Sequence, residues 1–224
     1  MRHFAVVTSL LFAWLVPSSA DAQRVVAETF MIAAADPGIQ LHVRNRHLEG
    51  RNSFPGERVV LFVHGATYPS ETVFDIDLPG GSWAEHVARK GYDVYLVDVR
   101  GYGRSMRPAA APSGESAFRD DGRRGEGCRR GGRFHPQAPR EDIVDYWGAG
   151  KATWEPEMIR VPTLLILAEW DQDTPLYMAQ EVFAKLVNAP YKRHVVIGEG
   201  THTVAIEKNR MHLINQVQSF LDEP

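Results

Sequence analysis

The chain has 224 residues, within the range of one domain, and is 44% hydrophobic and 24% charged, enough apolar sequence for a core. Its net charge of −3 at pH 7 gives no basis for a nucleic-acid partner or an anionic membrane surface, and its aromatics are not clustered with basic residues. The single cysteine, Cys128, excludes an internal disulfide.

Residues 1–22 read as a secretory signal peptide. Arg2 and His3 precede the apolar run Phe4–Val16, and Ala20-Asp21-Ala22 offers a small-residue cleavage site. The run is too short to span a bilayer as a helix. The mature chain is therefore expected to start at Gln23, to have no membrane span, and to be secreted or periplasmic. Residues 23–224 then form one domain.

Val25–Ala33 and Ile39–Arg44 flank the turn signal Asp36-Pro37-Gly38, which predicts a strand pair. Arg58–Val63 is a short continuous apolar run ending in His64-Gly65, suited to a strand buried on both faces. Ser82 opens a helix through Lys90, and Gly91 stops it. Asp93–Val99 is a second buried strand. Strand, helix, strand with apolar strands predicts a parallel βαβ unit. Thr163–Ala168 and Arg193–Ile197 repeat the pattern around a helix from Pro175 to about Val187. A last helix is expected from about Ile206 to Leu221, with apolar residues near helical spacing. Between the halves, residues 113–139 form an irregular Arg/Gly-rich insert with neither helical nor strand periodicity.

Four stretches carry chemistry: Arg58–Thr67 (RVVLFVHGAT), Tyr92–Ser105 (YDVYLVDVRGYGRS), Leu164–Pro175 (LLILAEWDQDTP) and Val195–Val204 (VVIGEGTHTV). Together they resemble the α/β-hydrolase family of serine hydrolases. The resemblance implies an α/β fold, a mostly parallel sheet with helices on both faces. It implies hydrolysis of ester or amide bonds by a triad in the order nucleophile, acid, histidine. On this alignment Asp171 is the acid, with Asp173 the runner-up, and His202 is the base. Ala66, after His64-Gly65, supplies an oxyanion N–H. Asp98, Arg100, Gly101, Gly103 and Ser105 match a mainly structural turn motif.

The residues allow plainer readings beside these. Either aspartate could be a turn or cap residue before Pro175. His202 could be a surface loop histidine, and Gly65 could serve an unusual backbone angle. His42 and His47 have no neighbouring acidic pair and read as exposed, and no cluster has metal-ligand spacing. No cofactor is implied.

The nucleophile elbow, G-x-S-x-G on a sharp strand-to-helix turn, is absent from the sequence. Gly114-Glu115-Ser116-Ala117-Phe118 is the nearest approach, without the second glycine or a preceding strand. Ser105 lies between Arg104 and Met106 and is not an elbow serine. Only 58 positions separate Ser105 from Thr163. One βαβ unit takes about 30 residues, so the full set of central elements does not fit, and the fold is expected to lack the central elbow strand and the lid. Arg123–Pro136, read one nucleotide later, is compatible with an Ala/Val-rich amphipathic run, so a shifted frame followed by a deletion that restores it near Pro139 is one source of the gap. The expectation is a truncated, impaired hydrolase of small-molecule esters or amides. The alternative is a non-catalytic remnant or small-molecule-binding protein on the same fold. Removing central strands is expected to leave Val59–Val63 and Val94–Val97 with unpaired edges.

Overall fold

The structure is a computed structural model and describes residues 23–65, 68–107 and 154–223. The expected signal peptide, the Arg/Gly-rich insert, Ser116, Cys128 and Ala66 lie outside the described residues.

Six strands are described: β1 (Val25–Ala33), β2 (Gln40–Leu48), β3 (Val59–Val63), β4 (Asp93–Val97), β5 (Thr163–Ala168) and β6 (Lys192–Ile197). The helices are α1 (Ser70–Phe74), α2 (Trp83–Arg89), α3 (Leu176–Lys185) and α4 (Arg210–Leu221). The first sheet has the order β1-β2-β4-β3. β2 is antiparallel to β1 and to β4, with Phe30 opposite Val43 and Val43 opposite Val97. β3 runs parallel to β4, with Val60 opposite Val94 and Phe62 opposite Leu96. β5 and β6 pair in parallel, from Thr163 opposite Lys192 to Ala168 opposite Ile197. The architecture is α/β with a mixed sheet, and both apolar strand–helix–strand patterns form parallel pairs.

The connection from β3 to β4 builds the main core. Ser82 caps α2 by accepting the Glu85 N–H, and the helix brings Ala84, Val87 and Ala88 onto the sheet. These pack with Phe62, Val94 and Leu96, all buried. Phe74 of α1 stacks on Phe62 at 4.6 Å, and Trp83 meets Phe62 edge-on at 5.2 Å. The alternate residues of β3 face the other way, and Val59, Leu61 and Val63 are exposed. A second cluster joins Ala168, Ile197, Val204 and Leu213 beneath β5 and β6, and Trp83 packs against both clusters.

Four expectations change. Arg58–Val63 is not buried on both faces: β3 lies at the end of the described sheet order, and its face bearing Val59, Leu61 and Val63 is exposed. Val94–Val97 is not an edge: β4 lies between β2 and β3, paired on both sides. His42 is buried, because β2 is also an interior strand and its inward positions reach the Asp98 turn. The last helix begins at Arg210, after a 3-10 turn at Val204–Ile206. No helix among the described residues is long and apolar enough to cross a membrane.

Candidate acid–base site

The turn after β4 is built on Asp98. Its side chain accepts the backbone N–H groups of Ser70 and Arg104, each at 3.0 Å, and lies 3.4 Å from His42 Nδ1. Ser105 closes the turn: its hydroxyl donates to the Asp98 carbonyl at 2.6 Å and accepts the His42 N–H at 2.7 Å. Gly103 has φ +50°, and a Cβ there would lie 2.1 Å from Asp98 Oδ2, so no other residue fits. Arg100 points away from the turn and pairs with Asp36 at 2.7 Å.

His64 joins the ends of β3 and β4. Its Nε2 accepts the Val99 N–H at 2.9 Å, so Nδ1 carries the proton and donates to the Gly65 carbonyl at 2.6 Å. The start of the expected oxyanion loop is thereby fixed. Gly65 does not adopt a positive φ, so the unusual backbone angle suggested for it is not its role.

Asp171 follows β5 at its C-terminal end, where chemistry collects in open α/β sheets. Its Oδ1 accepts the N–H groups of Asp173 at 2.9 Å and Thr174 at 2.8 Å. Its Oδ2 accepts the Thr174 hydroxyl at 2.7 Å and faces His202 Nδ1 at 3.0 Å. Burial alone would raise this carboxyl. The Thr174 backbone and hydroxyl donors and His202 outweigh burial and hold it below its usual value. Asp173 is exposed and contributes its backbone N–H, so Asp171 alone of the two meets the histidine.

The His202 loop is shaped from several sides. Glu199 has φ +53°, rare for a non-glycine residue. Its N–H donates to Glu169 at 2.9 Å, and the Trp170 N–H donates to the Gly200 carbonyl at 2.9 Å. A Cβ at Gly200 would sit 2.8 Å from Val204 Cγ2 and 3.3 Å from Ala168 Cβ, so the close approach of the loop to β5 requires glycine. His202 points Nδ1 at Asp171 with its side chain 48% exposed. An ionised acceptor fixes the proton on Nδ1 and leaves the Nε2 lone pair free to accept a proton.

The buried serines among the described residues use their hydroxyl protons elsewhere. Ser70 donates to the Val97 carbonyl, Ser82 to Asp75 and Ser105 to the Asp98 carbonyl. Glu169, Glu199 and Glu207, which shape the histidine loop, were not singled out by sequence reasoning. Their signal was weak: Glu199 and Glu207 lie within five residues of His202, and Glu169 lies two before Asp171.

Residues 58–124 match the alpha/beta hydrolase fold family. The chain is similar in structure to an esterase from Exiguobacterium antarcticum, at 15% identity and a TM-score of 0.52, over 86% of this chain and 99% of that one. It is similar to a serine hydrolase involved in carbazole degradation, at 14% identity and a TM-score of 0.52, over 88% of this chain and 99% of that one. A hydrolase from Pseudomonas aeruginosa PA01 gives 13% identity and a TM-score of 0.51, over 87% and 98%. A search of curated proteins finds no match. The family match spans β3, α2 and β4, and the similarity to solved hydrolases runs along most of the chain, so the fold is that of an α/β hydrolase.

Proposed function

We propose that the chain descends from a hydrolase of small-molecule esters or amides and keeps its acid and base in Asp171 and His202, with catalysis impaired. The observation that carries this reading is the 3.0 Å contact between Asp171 Oδ2 and His202 Nδ1, joining two loops 31 residues apart. That arrangement is the acid–base half of a triad. Ala66 is the proposed oxyanion donor. The elbow would supply the nucleophile and the second donor, and the sequence has no such motif. Loss of one oxyanion donor alone costs about 100- to 1,000-fold in rate. A small-molecule-binding role on the same fold is the second reading, favoured by the same missing motif.

The test is hydrolysis of p-nitrophenyl acetate by the full chain and by His202→Ala. Close, slow rates are expected. A rate more than about 100-fold above the variant's is general-base catalysis of full size and contradicts the impairment. Export is part of the proposal, resting on the Arg2–Ala22 pattern. Amino-terminal sequencing of the exported chain should then begin at Gln23.

A further inference from the structure

His202 sits between two threonines, and one carboxylate holds both. Glu207 Oε2 accepts the Thr201 N–H at 3.0 Å. Its Oε1 accepts the Thr203 hydroxyl at 2.8 Å and the Thr201 hydroxyl as well. The 3-10 turn at Val204–Ile206 brings the carboxylate back under the loop. The next residues make the same commitment. Asn209 stands where α4 would take a side-chain cap, and no such cap forms. Its Nδ2 instead donates to the Gly198 and Glu199 carbonyls at 2.9 and 3.1 Å. The helix start thus forgoes its own stabilisation to hold the loop that carries the histidine.

We propose that Glu207 is a positioning residue for the acid–base pair: its carboxylate holds the Thr201 N–H and hydroxyl on one side of His202 and the Thr203 hydroxyl on the other, and so aims Nδ1 at Asp171. The proposal rests on the reading of Asp171 and His202 as a functional pair. Charge-assisted bonds to an ionised acceptor are the strong kind and suit a clamp in a half-exposed place. The Thr201 hydroxyl, then the Thr201 N–H and the Thr203 hydroxyl, hold Glu207 below its usual value against the opposing effect of burial.

The test uses the full chain and proton–nitrogen NMR on wild type, Glu207→Ala, Glu207→Gln and Asp171→Asn. Two readouts are followed: the His202 Nδ1 proton resonance and the exchange rate of the Thr201 amide. Glu207→Ala should broaden the His202 proton away and speed Thr201 exchange by about tenfold or more. Glu207→Gln, which keeps one acceptor oxygen, should retain the resonance and give intermediate exchange. If Glu207→Ala keeps both readouts at wild-type values, the clamp is wrong. If Glu207→Ala does not fold, Glu207→Gln and Thr203→Val decide: faster Thr201 exchange supports the clamp, and unchanged exchange overturns it. A His202 resonance that survives Asp171→Asn refutes the pair itself, while Thr201 exchange still reports on Glu207.

Discussion

At the residue scale the informative group is Asp171, whose carboxylate both closes a turn and meets a histidine. One oxygen caps the turn before Pro175 and the other faces His202. Its carboxyl is held below the usual value, so it contributes stability above the unfolded-state pKa and loses it as pH falls through the lowered folded value. Asp171→Asn should therefore be less stable than wild type at pH 7, and the gap should close in acid below the usual carboxylate range. Urea melts at neutral and acid pH check this, and a gap that does not change with pH contradicts it. Asp171 and His202 were legible because each follows an apolar strand and a turn signal. The preference for Asp171 over Asp173 rested on the resemblance, because the residues alone do not show which way the loop turns. His42 was misread as exposed because burial of β2 depends on β4 reaching its far edge, a pairing invisible in local alternation. Glu207 was hidden inside what looked like the first turn of a helix.

At the element scale the β3–β4 pair sets the energetics. Leu96 is 1% exposed between α2 and the sheet, whereas Leu61, on the opposite face of β3, is 60% exposed. Leu96→Ala should cost about 2–5 kcal/mol through the cavity it leaves. Leu61→Ala should change stability by no more than about 0.5 kcal/mol, as surface substitutions do. Denaturant unfolding of both variants checks the contrast, and a large loss at Leu61 would mean that face is covered. Apolar runs made β3, β4 and β5 legible, and β6 was read from Val195–Ile197 and the glycines that follow. Element ends were less so: β4 stops at Val97 because Asp98 must turn to meet Ser70 and Arg104. α4 starts late because Glu207 and Asn209 are committed to the histidine loop.

At the scale of the whole molecule, α4 and Trp83 join the two sheets. The Tyr92 hydroxyl lies 2.9 Å from the Leu221 carbonyl and 2.8 Å from Asp222 Oδ1, Arg58 pairs with Asp222 at 3.4 Å, and Arg210 donates to the Pro79 carbonyl. Tyr92→Phe should cost about 1 kcal/mol, the worth of a typical internal hydrogen bond, measured by thermal or urea melting. A cut introduced between Arg107 and Trp154 should leave fragments that elute together in size exclusion; separate elution would mean that these contacts do not hold the halves. Motifs on both flanks made the architecture legible. They could not show how the flanks meet, since that depends on contacts such as Tyr92 with Leu221, far apart in the chain. The central claim is an assembled acid and base without an elbow serine. It is tested most directly by incubating the full chain and His202→Ala with a fluorophosphonate probe and reading intact mass. The account predicts no adduct in either protein. A stoichiometric adduct on one serine, lost in His202→Ala, would contradict it.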